Sequence, residues 1–165
     1  MVTAIASPAH LTISKSSFSS TCWEVLKHAR EAANLRRMPV IESEDLLAGL
    51  AKSDTKVGRA LVRAGATYAE ILSCCTFHKC DFFEKRPFSE NDVVSNFTST
   101  ARNAIAKSLI LADIKGTDKV TEAELFEVIA GYNDEKFTSV AILERLEINK
   151  SALWNLAINP TQRPG

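Results

Sequence analysis

Residues 40–50 read VIESEDLLAGL, and residues 119–129, which lie 79 positions later, read KVTEAELFEVI. In both stretches acidic side chains precede a run of large apolar ones. Carboxylates in the first turn of a helix interact favourably with the positive end of the helix dipole, and the apolar spacing that follows is helical. A helix start that occurs twice predicts two related helical units.

The similarity continues outward from these stretches at the same offset of 79. FSST at 18–21 corresponds to FTST at 97–100, and the hydroxyl side chains there suit a helix N-cap. Identity between 18–50 and 97–129 is limited to Phe18, Ser20, Thr21, Ala33 and Leu46. The prediction of a duplication therefore depends on the ungapped register and on the shared apolar spacing.

The predicted fold class is all-α, with two pseudo-twofold-related four-helix repeats packed into one compact domain over 18–157. The predicted divisions are a flexible N-terminal arm (1–17), repeat one (18–76), a connector (77–95), repeat two (96–157) and a tail (158–165). The connector contains four phenylalanines, Phe77, Phe82, Phe83 and Phe88. Because so many aromatic side chains are too apolar for a free linker, we expect them to pack on the core.

Charge and hydropathy argue against two classes of partner. Twenty basic side chains balance 20 acidic ones, so no long-range attraction to nucleic acid or to an anionic membrane is expected. No apolar run approaches the roughly 20 residues that span a bilayer. The arm lacks the basic start and the apolar stretch of a secretory signal. We therefore expect a cytoplasmic protein with reduced cysteines, the plastid stroma being the alternative compartment.

The motifs that mark nucleotide binding, zinc proteolysis and serine hydrolysis do not occur in the sequence, and no cofactor is expected. The strongest candidate for metal or nucleophilic chemistry is CCTFHKC at 74–80. Its thiols and imidazole are crowded for tetrahedral zinc, which favours a helix end with a buried Cys75. No catalytic residue and no metal site are therefore predicted. A small enzyme that uses Cys75 and His78 stays open as an alternative.

The candidate binding residues are the polar side chains of the two helix starts: Ser43, Glu44 and Asp45 in the first copy, and Glu122 and Glu124 in the second. One interpretation is structural, because carboxylates there cap the helix and complement its dipole. The other is a pair of acidic sites that bind cationic groups on a peptide or adaptor. In that case Glu44 is a surface charge worth about 0.3–1 kcal/mol, and Glu44→Lys weakens binding without unfolding the domain.

The whole pattern resembles the Clp N-terminal domain, which precedes the ATPase rings of Clp-type AAA+ unfoldases. The residues that carry the match are FS at 18–19, REAANL at 30–35, IESEDLLAGL at 41–50 and the helix that ends at Gly65. The second repeat departs from the pattern at Ala123, where the family has glutamate, and at Glu147, where it has a turn glycine.

This resemblance implies a non-catalytic domain that binds substrates or adaptors. In some members a Thr-Glu pair at each helix start recognises phosphorylated arginine; Ser43-Glu44 keeps that pair, whereas Glu122-Ala123 does not. With no ATPase module, the chain is similar to a free-standing accessory subunit or to a fragment of a larger unfoldase. The implied partners are Clp ATPase or Clp protease core subunits, adaptors and substrate polypeptides. The alternative function is a repurposed helical regulator unrelated to proteolysis.

Overall fold

The computed structural model describes residues 13–78, 82–133 and 136–158. These residues form eight α-helices, and their only β-pairing consists of two isolated bridges. The helices are α1 (Ser20–Leu35), α2 (Ser43–Lys52), α3 (Lys56–Arg63), α4 (Tyr68–Ser73), α5 (Ser99–Ile114), α6 (Glu122–Ile129), α7 (Thr138–Arg145) and α8 (Lys150–Ala157). Short 3₁₀ turns at Lys15–Ser17 and Val93–Asn96 precede α1 and α5. The predicted all-α class is confirmed.

The two isolated bridges relate the repeats by a pseudo-twofold axis. Phe18 pairs with Val120, and Ile41 pairs with Phe97. Adding 79 to Phe18 and subtracting 79 from Val120 turns the first pair into the second. The N–H groups of Val120 and Ile41 donate across these bridges, at 2.9 and 2.7 Å. Each repeat therefore begins its first helix against the loop that precedes the second helix of the other repeat.

The helix α2 lies at the centre of the molecule. It contacts α1, α3 and α4 of its own repeat and α5, α6 and α7 of the other. Every residue from Ser43 to Ala51 is buried. An apolar stripe of α1 packs on α2, and five of its residues are fully buried: Cys22, Val25, Leu26, Ala29 and Ala33. Burying a leucine-sized side chain contributes about 1.5–3 kcal/mol, so this contact is a main source of stability.

The helix ends follow the same symmetry. The residue that ends α1 in the left-handed region is Arg37, at φ 58°, and its counterpart after α5 is Gly116, at φ 74°. Gly65 ends α3 at φ 95°, and Glu147 ends α7 at φ 56°. Glycine adopts this region without steric cost, whereas a residue with a Cβ loses roughly 1–2 kcal/mol. Each turn has therefore kept its geometry in both repeats but its glycine in only one.

The connector only partly matches the expectation that its phenylalanines pack on the core. The Phe88 ring contacts Trp23 edge-on, with centroids 5.0 Å apart, and Phe83 is half-buried. Phe77 is 51% exposed and Phe82 is 95% exposed, so the expectation is wrong for these two side chains. The aromatic content of the segment could not distinguish a ring that packs inward from one that projects outward.

The predicted divisions of the chain stay predictions. Four helices precede the connector and four follow it. The N-terminal 12 residues and the tail from residue 159 onward lie outside the described residues. The described end of the arm lies against repeat two, because the Ser17 carbonyl accepts the N–H of Val120 at 2.9 Å.

Candidate functional site

The first helix-start cluster consists of Glu42, Ser43, Glu44 and Asp45 around Arg36. Arg36 follows α1 as its C-cap and is only 2% exposed. Its Nη1 donates to Asp45 Oδ1 at 2.8 Å, and its Nη2 lies 3.6 Å from Glu42 Oε2. Although burial alone would lower the pKa of Arg36, the Asp45 carboxylate raises it above its usual value. Arg36 therefore binds acidic side chains of its own chain.

Ser43 and Asp45 have internal partners. The Ser43 hydroxyl lies 2.8 Å from the Thr138 hydroxyl, which joins the starts of α2 and α7. Asp45 is fully buried, and its Oδ2 accepts the N–H of Glu42 at 2.9 Å. Burial raises the pKa of Asp45, while Arg36 acts in the opposite direction. Both side chains fix how α2 enters the core.

Glu44 is buried as well, with an exposed fraction of 7%. Its Oε1 lies 3.8 Å from Arg36 Nη2 and accepts no hydrogen bond from any described residue. Burial, and then a hydrogen bond with the Glu42 carboxyl, raise the pKa of Glu44 to about 8. The expectation of a surface charge at this position is therefore wrong. Glu44→Lys would bury a second cation beside Arg36 and would disturb the fold itself.

We expect Glu44→Gln to stabilise the domain at about pH 8 and to reduce the loss of stability between about pH 5 and 8. The folded-state pKa of about 8 exceeds the unfolded value of roughly 4.3. The stability linked to the protonated carboxyl is complete below the unfolded pKa and is lost as the pH rises through the folded one. Part of the slope remains, because burial also raises the pKa of Asp45.

Urea unfolding of both proteins across this pH range measures the effect of Glu44→Gln. The control is Glu24→Gln, which removes an exposed carboxylate from α1. If Glu44→Gln and the unmodified chain lose stability in parallel as the pH rises, Glu44 does not titrate as a buried acid.

The second helix-start cluster repeats this arrangement around a cation that is more exposed to solvent. Glu124 is the counterpart of Asp45, is 4% exposed, and accepts the N–H of Thr121 at 3.0 Å. Lys115 stands where the first repeat has Arg36, and its Nζ lies 3.8 Å from Glu124 and 3.2 Å from Glu127. Its side chain is 35% exposed, so this cluster is partly open to water.

Glu122 is the only one of the five predicted residues that is not buried. It is half-buried, and its Oε2 accepts a hydrogen bond from the Thr21 hydroxyl at 2.7 Å. The contact joins the first turns of α1 and α6 across the pseudo-twofold axis. Glu122 therefore offers a carboxylate at the surface of the junction between the repeats.

The structure thus brings the five predicted residues into two separate clusters, and it adds Arg36 and Lys115, which the sequence interpretation missed. A signal for this pair was available, because Arg36 precedes Lys115 by 79 positions, as Asp45 precedes Glu124. A repeated cation beside a repeated carboxylate is typical of an internal ion pair. The chemistry of both clusters is helix capping and charge neutralisation.

The Cys-His segment has ordinary packing where the structure describes it. Cys75 is half-buried and its Sγ lies 3.2 Å from the Ile71 carbonyl, whereas His78 is exposed. Burial raises the pKa of the Cys75 thiol to about 12, which opposes a nucleophilic role. Cys80 lies outside the described residues. Within the described ranges no three His, Cys, Asp or Glu side chains form a group that could hold a metal. The helices of the described residues are also too short or too polar to span a bilayer.

A comparison with solved structures identifies the fold. The crystal structure of the N-terminal domain of the caseinolytic protease associated chaperone ClpD from Arabidopsis thaliana superimposes with a TM-score of 0.63. The match covers 87% of this chain and 94% of that domain, at 13% sequence identity. The chain has the fold of a Clp N-terminal domain. At this identity the likeness establishes the Clp N-terminal fold and no shared activity.

Sequence comparisons find no match: no family model fits the chain, and no curated protein sequence is significantly similar to it. The likeness to the Clp N-terminal domain therefore comes from the structure alone.

Proposed function

We propose that the chain is a non-catalytic protein-interaction domain of the Clp chaperone and protease system. The observation that supports this proposal is the Clp N-terminal fold, found in a domain that belongs to a protease-associated chaperone. The partners are Clp ATPase subunits, Clp protease core subunits, adaptors or substrate polypeptides. The chain acts in the cytoplasm or, as the alternative compartment, in the plastid stroma.

We further propose that a partner contacts the helix-start residues, and the burial of the other four favours Glu122 as the point of contact. Ser43, Glu44, Asp45 and Glu124 are buried with internal partners, so a peptide would have to displace those partners to reach them. Glu122 is half-buried at the junction of α1 and α6, where a cationic side chain can approach its free carboxylate edge. Binding by these five residues stays a prediction.

We expect the immobilised chain to retain at least one purified Clp ATPase, protease core or adaptor subunit from the same organism. Glu122→Lys weakens retention if the partner contacts the junction between the starts of α1 and α6. The control is Glu144→Lys, which makes the same charge change on the exposed side of α7 and leaves retention intact. Surface plasmon resonance with each subunit measures both effects. Failure to retain any Clp subunit would count against the proposal and favour the repurposed regulator.

A further inference from the structure

A groove of about 700 Å³ lies between the end of α1 and the connector. Its side chains differ in chemical character from the buried helix-start residues. Its lining includes Arg37, Phe82, Phe83, Lys85 and Arg86. A smaller pocket of about 330 Å³ adjoins it and shares Arg37, Phe83 and Lys85. The two concavities therefore form one continuous surface on repeat one, which we call the connector groove.

The connector groove is built by hydrogen bonds that hold the chain on both sides of it. On one side the Arg36 guanidinium donates to the Thr76 carbonyl at 3.1 Å, and the Arg36 carbonyl accepts the N–H of His78 at 2.9 Å. On the other side the Asn34 side chain bonds both the N–H and the carbonyl of Arg86, at 3.0 and 2.9 Å. Because the anchors are side chains of the α1 end, the groove is part of the fold.

Apolar side chains in and beside the connector groove are exposed to an unusual degree. Phe82 is 95% exposed, Leu35 is 53% exposed and lines the adjoining pocket, and Phe77 precedes the lining residue His78 and is 51% exposed. These are three of the five large apolar side chains that are exposed among the described residues. Such a concentration is typical of a binding surface, where an aromatic side chain supplies a rigid contact.

The connector groove also carries a local excess of positive charge. Among the described lining residues, Arg37, Lys85 and Arg86 are basic and Glu84 is acidic, although the whole chain is formally neutral. Arg37 occupies its left-handed position at φ 58°, where the other repeat has Gly116. An arginine held at a position that favours glycine is a strained residue next to a cluster of cations. Strain of this kind concentrates at functional sites.

We propose that the connector groove binds an acidic segment of a partner polypeptide that carries an aromatic or aliphatic anchor residue. The acidic side chains of the segment pair with Lys85 and Arg86, and its anchor packs on Phe82 and Leu35. The proposal rests on the proposed function only in taking the partner to be a polypeptide. It assigns binding to the end of α1, whereas the helix-start residues lie at the beginnings of α2 and α6.

The test uses a short fluorescein-labelled peptide in which glutamates flank one phenylalanine and one leucine. We expect fluorescence anisotropy to show saturable binding that weakens as salt is raised, because solvent-exposed ion pairs are screened. Lys85→Glu with Arg86→Glu reduces affinity about tenfold, since two attractive contacts become repulsive. Phe82→Ser reduces it about fivefold, which is a typical loss for an exposed aromatic anchor.

Three controls separate the connector groove from general charge attraction. Lys56→Glu with Lys119→Glu makes the same charge change at exposed positions outside the groove and leaves affinity within about twofold. A peptide with lysines in place of glutamates does not bind. Circular dichroism of each variant checks that the helices remain.

Each of the remaining outcomes either supports or overturns the proposal that the connector groove binds an acidic segment. Equal loss in both double variants, or undiminished binding by Phe82→Ser, overturns the proposal. Self-association that Phe82→Ser abolishes would overturn it in favour of a second copy as the occupant, and sedimentation velocity detects this. Peptide binding without retention of any Clp subunit supports the groove and contradicts the proposed function. Retention of Clp subunits by all variants, without peptide binding, does the reverse.

Discussion

Replacing Arg36 by methionine is expected to destabilise the domain by about 3–5 kcal/mol. Methionine fills much of the volume of the arginine stem, but it removes the guanidinium that lies 2.8 Å from the Asp45 carboxylate. That carboxylate then stays fully buried without its cation. The cost of an unpaired buried charge exceeds the net value of the pair that is lost. Arg36→Met also removes the donor to the Thr76 carbonyl and so loosens the start of the connector.

Three comparisons make the Arg36→Met prediction specific. Lys115→Met removes the corresponding cation of repeat two, and its cost is about 0.2–1 kcal/mol because that side chain is 35% exposed. Adding Asp45→Asn to Arg36→Met recovers much of the loss, since an amide oxygen can still accept the N–H of Glu42. The loss is larger at about pH 8 than at about pH 5, where Asp45 can take up a proton.

Urea unfolding of the unmodified chain, of Arg36→Met, of Asp45→Asn and of their double variant gives four free energies, and their non-additivity isolates the Arg36–Asp45 coupling. If Arg36→Met costs no more than Lys115→Met, the buried ion pair does not contribute as its geometry indicates. A large loss in the Arg36→Met and Asp45→Asn double variant would assign the effect to packing instead of charge.

The fold could be predicted from the sequence because duplication adds constraints that a single repeat lacks. FSST at 18–21 is a weak helix signal alone, but FTST in the same register at 97–100 excludes most other interpretations. Gly65 and Glu147 occupy equivalent left-handed turns although they are 82 positions apart, so the second repeat has three more residues than the first before this turn.

The surroundings of the candidate site residues could not be predicted in the same detail as the fold, because the type of a residue does not show whether its side chain is buried. A position in the first turn of a helix predicts a surface charge for Glu44, but it does not show whether that turn is itself buried. The six consecutive apolar residues that follow, at 46–51, could have corrected this. A helix that is apolar on every side lies inside a fold, and its first turn lies inside with it.

The connector groove could not be predicted from the sequence for a different reason. Its residues come from the end of α1 and from a segment about 50 positions later, as in the bond of the Asn34 side chain to Arg86 across 52 positions. No periodicity relates these two segments, so the sequence pattern does not bring them together. The Asn34 and Arg36 side chains hold the segment at Arg86 and at Thr76. Phe82, which lies between these two anchors in the sequence, is exposed to solvent.

Replacing Gly49 by alanine is expected to destabilise the domain by about 2–3 kcal/mol, although alanine is the better helix former. A Cβ at Gly49 would lie 2.5 Å from the Val25 carbonyl oxygen and 3.0 Å from the Ala29 nitrogen. Both contacts are to the α1 backbone, so no side-chain rotation relieves them and the two helices must move apart. Helix propensity returns only about 1 kcal/mol. The steric term therefore exceeds the propensity term.

Repeat two supplies the natural comparison for Gly49, because its equivalent position is Val128, which is 1% exposed. The helices α5 and α6 thus accommodate a branched side chain where α1 and α2 accommodate none. Gly116→Ala is the matched control: a Cβ there meets nothing within 4 Å, so its cost is the roughly 1–2 kcal/mol of left-handed backbone alone. Thermal and urea unfolding measure both variants. A gain in stability for Gly49→Ala would mean that α1 and α2 lie farther apart than described, and that the central helix is held mainly by its first-turn ion pair.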